Sequence, residues 1–216
     1  MSTERHLLRD EVYLALRRDI VAGRLPAGAV LKDAEIAAAF HTSKEPIRSA
    51  LARLRDEGLV HTKPQSATRV APLDQVAARE SLEVVRTLSI RAVELGWPHL
   101  TAEHIAAMED RNERFERAAA AGDVDATIEA DDAFHDVFLA LTGNEALRTI
   151  AHQHQDVLRR VEVQQFGIGS GAESAARHRA LVEACVAGDL ATARDLTAQI
   201  WSALETLLTP PAPPPL

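Results

Sequence analysis

The stretch EADDAFHDVF, residues 129–138, sets a carboxylate and an imidazole four positions apart, Asp131 and His135, with Phe134 and Phe138 at the same interval. On an α-helix, positions i and i+4 lie one turn apart on nearly the same face, so Asp131 and His135 can address a single small target. Two chemistries suit such a pair. One is a divalent cation, for which an imidazole nitrogen and a carboxylate oxygen are ordinary ligands. The other is a hydrogen bond between the two side chains along the helix surface.

The elements that must position this pair are set by the bulk of the chain. With 216 residues, 46% of them apolar and 26% charged, the chain is long enough to bury a core in one large or two small domains. The first twenty residues carry charges throughout and contain no apolar run of signal-peptide length, and no later run approaches the ~20 apolar residues of a membrane span. A cytoplasmic protein without a membrane partner is expected. The single cysteine, Cys185 in LVEACVAGDL, reads as part of an apolar helix face in a reducing compartment.

The net charge of −8 is unevenly spread. Residues 1–70 hold twelve Lys and Arg against nine Asp and Glu, a net of +3, and the remainder carries −11. A mildly basic N-terminal module is joined to an acidic body.

In that module Leu8, Val12, Leu16 and Ile20 recur every four positions and mark one stripe of an amphipathic helix ending at Gly23. GRLPAG makes a turn, and a short second helix follows from Asp33, read as its N-cap. After the brief HTS connection Ser43 is placed to cap a third helix, with Pro46 in its first turn and Gly58 at its end. Ile47, Ala50, Leu51 and Leu54 face inward there, leaving Lys44, Glu45, Arg48 and Ser49 outward near the start. Two tightly joined helices, the second opening with long polar side chains, form the arrangement that enters a DNA major groove. LVHTK and TRV flank PQSA and read as a small β-hairpin, a wing, where Lys63 and Arg69 can meet phosphate.

The segment LRRDIVAGRLPAGAVLKDAEIAAAFHTSKEPIRSALARLRDEGLV resembles, over its whole length, the winged helix–turn–helix of the GntR family of bacterial transcription regulators. The resemblance implies that Ser43 and Lys44 contact phosphate or bases, that Arg48 reads bases, and that the wing touches the adjacent minor groove. It also marks departures. Lys44 stands where relatives often carry Arg, Ser66 and Ala67 replace an Arg-Gly pair in the wing, and Ala34 stands at a frequent phosphate-binding Arg. Lys lacks the bidentate fork that reads guanine, so a modest affinity and a different operator are implied.

APLDQ, with Pro72, reads as the hinge between domains at residues 1–71 and 72–209. Beyond it the pattern is helical throughout, near 74–96, 102–120, 123–141, 145–165, 172–187 and 190–208, an antiparallel bundle with short loops. GIGSG at 167–171 sits between two helices and reads as a loop, and the proline-rich residues 210–216 as a disordered tail. The expected fold class is mostly α: a winged helix–turn–helix of three helices plus a small β-hairpin, then an all-α antiparallel bundle.

The body resembles the ligand-binding FCD domain of the FadR-type branch of that family, through DDAFHDVFLALTGNEALRTI and ESAARHRALVEACVAGDLATAR. In metal-binding members an Asp, the His four residues on and two later His converge. The resemblance places Asp131, His135 and His178 at the first three positions and Ile200 at the fourth. It thereby implies an incomplete site for Zn²⁺, Ni²⁺ or Mn²⁺, with the open position left to water or a ligand carboxylate. His152 and His154 lie on the neighbouring helix, two apart, so at most one can face inward. Arg86 matches a position at which the branch often pairs its effector, and Arg159 or Arg160 can reach the same cavity, where a guanidinium suits a carboxylate.

The expected protein is a homodimeric DNA-binding transcription regulator, a repressor, that holds a pseudo-palindromic operator and is modulated by a small carboxylate effector. The alternative is a metal-responsive regulator without an organic effector. An Asp-His-His site with an open position would also serve a metal-dependent hydrolase. No general base has a distinctive spacing, and the DNA-reading module speaks against an enzyme.

Overall fold

The computed structural model describes residues 2–62, 67–163, 171–205 and 208. Lys63 and Ser66 of the expected wing, nearly all of GIGSG and the 210–216 tail lie outside the described residues. The chain divides between Asp74 and Gln75 into two compact units. No described helix is long and apolar enough to cross a membrane.

In the N-terminal unit α1 (Ser2–Val21), α2 (Asp33–Ala39) and α3 (Lys44–Asp56) enclose a core of Val12, Leu16, Ile20, Ile47, Leu54, Leu59 and Val70. The strands β1 (Val30–Leu31), β2 (Val60–Thr62) and β3 (Thr68–Val70) pair antiparallel in the order β1-β3-β2. The expected hairpin is therefore two strands of three. β1 escapes a reading of the sequence because two residues carry no periodicity and their partner, with Val30 opposite Arg69, is remote in the chain. Asp33 also differs from expectation. Lys32 is the N-cap of α2 and makes no side-chain cap bond, while Asp33 sits in the first turn and accepts from Arg48 of α3 at 3.2 Å. A carboxylate there still complements the helix dipole and at the same time ties α2 to α3. Between these helices His41 takes φ 50°, and Thr42 N–H donates to the Ala37 carbonyl at 2.9 Å, closing α2 with a left-handed turn. Tyr13 of α1 donates to Glu57 at 2.9 Å while Arg53 lies 3.6 Å over its ring, which fastens α1 to the end of α3.

The second unit is helical throughout its described residues: α4 (Gln75–Gly96), a 3₁₀ turn (Trp97–His99), α5 (Ala102–Ala121), α6 (Val124–Leu141), α7 (Glu145–Val161), α8 (Gly171–Val186) and α9 (Leu190–Ser202). One device recurs at three of its corners. Gly122, Gly143 and Gly188 take left-handed φ values of 70°, 63° and 70°, and the next residue, Asp123, Asn144 or Asp189, caps the following helix with its side chain at 3.0–3.1 Å. α5 packs on α6 and α8, and α4 on α7 and α9. Val93, Met108, Phe134, Leu139 and Leu181 lie at the centre, with Cys185 buried among them and its thiol pushed up to about 11 by burial.

Candidate functional site

α6 turns Ala130, Asp131, Phe134, Val137 and Phe138 into the bundle, so Asp131 arrives in the interior as part of an otherwise apolar stripe. His135, one turn on, is half-buried with its Nε2 3.7 Å from Asp131 Oδ2. His178 comes from α8, is 1% exposed, and brings its Nε2 to 3.7 Å from Asp131 Oδ1. The two imidazoles thus approach opposite oxygens of one carboxylate, and the ligand atoms of all three residues lie within 4.8 Å of one another. Around a tetrahedral metal at ~2.1 Å from each ligand the ligand atoms lie about 3.4 Å apart, so the three side chains would close by up to roughly 1.4 Å.

The aromatic interval beside Asp131 and His135 has a reason in packing. Phe134 stacks on the His178 ring at 4.1 Å and Phe115 meets its edge at 5.4 Å, so the ring is clamped, while Phe138 lies parallel to Trp97. The tautomer of His178 is set as well. Asn112 of α5 donates its Nδ2 to the Ala175 carbonyl at 3.0 Å, which leaves its Oδ1 to accept from His178 Nδ1–H at 3.1 Å. Nε2 of His178 therefore keeps its lone pair toward Asp131, the form that ligates a metal.

Arg159 of α7 enters the same group. Its Nη2 donates to Asp131 Oδ2 and, at 3.1 Å, to Asp132, and its Nη1 donates to Glu162 at 3.0 Å. Burial opposes the guanidinium charge, but Asp131, Glu162 and Asp132 outweigh it and hold Arg159 firmly protonated. Burial also works against the Asp131 charge, and Arg159 reverses that effect, keeping the carboxyl well below the usual range. Three carboxyl groups share one guanidinium, and burial lifts Glu162 to about 7. The donor set fits a divalent cation, with two neutral imidazoles, a carboxylate and a surplus of negative charge around them.

Burial pushes His135 down to about 4 from its ordinary 6.5, against the pull of Asp131, and pushes His178 the same way. A base with a depressed folded-state pKa is neutral in the fold and charges more readily in the unfolded chain. Stability is therefore full above about pH 6.5 and drains as pH falls toward 4, and the low Asp131 value adds to the loss only below the ordinary carboxylate range. Glu162, lifted to about 7, shifts the opposite way and gains stability over the same interval as pH falls. The imidazole contribution is therefore read in Glu162→Gln, where urea unfolding with metal chelated is expected to show a loss on the order of 2–3 kcal/mol between about pH 7 and about pH 4.5. Equal stability at the two values would mean that these imidazoles are not buried neutral.

The other residues singled out from the sequence are dispersed. Arg86 donates to Ser202 Oγ at 3.3 Å and pairs with Glu205. His152 meets Asp136, which also holds Arg148 through two bonds of 2.7 Å, and His154 bonds Ser81 at 3.0 Å. Arg160 is buried on α7. Ile200 is half-buried against the bundle core, whereas Trp201 sets its ring 4.6 Å from that of His135. Asn112 and Trp201 are missed by motif reading. Spacing carries a signal for both: Met108, Asn112 and Phe115 form one buried stripe, and Ala193, Thr197 and Trp201 another.

In the N-terminal unit Pro46, Ile47, Ala50, Leu51 and Leu54 are buried, and Ser43, Lys44, Glu45 and Arg48 are exposed at the start of α3, with Ser49 half-buried. Arg69 is exposed on β3 and donates to the Gly28 carbonyl at 2.9 Å. One helix end thus offers two cations and two hydroxyls to solvent, chemistry suited to phosphates and base edges.

Residues 8–70 match the family described as bacterial regulatory proteins, gntR family, and residues 80–203 match the FCD domain. An uncharacterized HTH-type transcriptional regulator in an unstable DNA locus of Streptomyces ambofaciens is 31% identical over 189 residues, covering 86% of this chain and 78% of that one. A probable D-xylose utilization operon transcriptional repressor of Paenarthrobacter nicotinovorans is 30% identical over 198 residues, covering 87% and 84%. Among solved structures, E. coli McbR/YncC shares the fold at a TM-score of 0.80 and 22% identity, over 93% of this chain and 96% of that one. The chain belongs to the GntR family of bacterial regulatory proteins, a transcription regulator whose DNA-binding module is followed by an FCD domain.

Proposed function

We propose that this regulator is a repressor that binds a pseudo-palindromic operator as a homodimer and responds to a small carboxylate bound beside a divalent metal in its helical unit. The observation that carries the reading is the buried Asp131–His135–His178 cluster with Arg159 on its carboxylate. Asp131, His135 and His178 would hold Zn²⁺, Ni²⁺ or Mn²⁺, and the metal would offer an open coordination position to an anionic oxygen. One carboxylate cannot serve both cations fully. A metal on Asp131 would weaken its bond to Arg159 Nη2, leaving that N–H, still beside Asp132, able to take up a ligand carboxylate. Metal and acid then favour each other's binding, a reciprocal coupling of the kind that shifts a dimer between two geometries. The Paenarthrobacter nicotinovorans relative, a probable transcriptional repressor, supports repression here.

Calorimetric titration of the full chain with Zn²⁺ is expected to show weak binding that dialysis reverses and that added organic acids strengthen. Absence of binding even with Zn²⁺ in excess would overturn the metal-assisted reading. Two heads holding half-sites about one helical turn, ~34 Å, apart require a dimer. Sedimentation of the full chain is accordingly expected to give a dimer at micromolar concentration, and a monomer would exclude this geometry.

A further inference from the structure

Arg48 of α3 is largely exposed, yet its guanidinium is tied across the helix–turn–helix, Nε donating to Asp33 Oδ2 of α2 at 3.2 Å. Asp33 is the fixed end of the pair. It stands in the first turn of α2, where the helix dipole favours a carboxylate, and its side chain is only 31% exposed. Glu35, the other acid of that turn, is taken by Lys32 at 2.7 Å, so the two acids of α2 serve two different cations. An open ion pair of this kind adds little to stability, and its larger effect is on where the guanidinium is held. Arginine has five N–H donors. A bond through Nε leaves the four on Nη1 and Nη2, the end-on fork that spans O6 and N7 of guanine.

We propose that Asp33 is a positioning residue for DNA recognition: it holds Arg48 by Nε, keeps the terminal fork free for a guanine, and so sets sequence specificity without touching a base. The proposal rests on the reading that the start of α3 enters a DNA major groove. Two effects follow from the pairing. An arginine already held loses less side-chain freedom when it meets its base, a difference of roughly threefold to tenfold in affinity for each half-site. In the other direction, the Asp33 charge cancels much of the attraction of Arg48 for phosphate, the part of binding that is blind to sequence. The pair thus strengthens the directional contact while weakening the general one, and both changes raise the ratio between right and wrong sites.

The test uses the full-length protein, a duplex selected by the wild type from a pool randomised in sequence, and a scrambled version of that duplex. With two half-sites engaged, D33A is expected to bind the selected duplex roughly tenfold to a hundredfold more weakly. It should bind the scrambled duplex as tightly as the wild type or more so, whereas damage to the fold would weaken both. In an R48A background, D33A should bring no further loss on the selected duplex, because the residue it positions is already gone. Three results overturn the role of Asp33 and leave the groove reading standing: selected-duplex binding that R48A lowers but D33A does not, an equal D33A loss on both duplexes, or a D33A loss that persists at full size in R48A. A selected-to-scrambled ratio that R48A leaves unchanged overturns both. Should D33A fail to fold, D33S takes its place under the same expectations, since helix starts favour serine and its hydroxyl ends one bond short of the Asp33 oxygens.

Discussion

Arg48→Ala will leave the protein folded and remove its specific hold on operator DNA. Arg48 is 70% exposed, and its described partner is Asp33 at 3.2 Å, an open ion pair of the kind worth little to stability. The packing of α3 rests instead on Ile47, Ala50, Leu51 and Leu54, which the substitution leaves alone. What disappears is a guanidinium fork at the exposed start of the helix, the end we propose enters the groove. One bidentate contact to a base pair is worth ~1–3 kcal/mol of discrimination, and a dimer on two half-sites loses it twice, so specific affinity should fall by roughly 30-fold to 10⁴-fold. Nonspecific binding, which rests on phosphate charge, should fall far less. Gel-shift titration against operator and scrambled duplexes measures the ratio. An unchanged ratio would take the start of α3 out of the major groove.

Asp131→Ala should strike the other unit through stability as well as binding. The buried Arg159 would keep Asp132 and Glu162 but lose Asp131. Removing one partner of a buried ion pair typically costs ~3–5 kcal/mol, and the two remaining carboxyl groups place this case near about 3 kcal/mol. Zn²⁺ binding should vanish together with that stability. Asp131→Asn separates the two effects, since the amide keeps an acceptor for Arg159 and the volume of the site while losing the charge that a metal needs. Urea denaturation and calorimetry on both variants read the outcome. A loss below about 1 kcal/mol in Asp131→Ala would show that Arg159 is held without Asp131.

The architecture was legible because it is written in local terms. The stripe Val12–Leu16–Ile20, the inward set Ile47, Ala50, Leu51 and Leu54, and the Gly-Asp and Gly-Asn pairs at the corners of the bundle each act within a turn or two of chain, where periodicity and capping chemistry operate. Asp131 and His135 share a helix face by spacing alone. His178 at their side followed from resemblance to the family rather than from any spacing in this chain. α9 ends at Ser202, before the expected 208, because apolar periodicity does not mark where a helix stops, while the expected end of α7 at 165 lies outside the described residues.

Tertiary structure alone decided which partners each charged side chain takes. Nothing in the sequence assigns Arg159 to Asp131, Arg86 to Glu205 or His152 to Asp136. These pairs join residues 28, 119 and 16 positions apart, and which arginine reaches a given carboxylate depends on how the helices rotate as they pack. The same holds for Asn112, whose place in the charged run EDRNERFER looks solvated until α8 is laid against α5 and the amide meets Ala175 and His178. β1 becomes a strand only because β3 lies beside it. From the chain alone came the family, the two-part architecture and the residues able to ligate. The packing of one helix on another then determined that their carboxylate is shared with a buried guanidinium, because contacts between distant segments depend on rotation and register that short-range sequence signals do not encode.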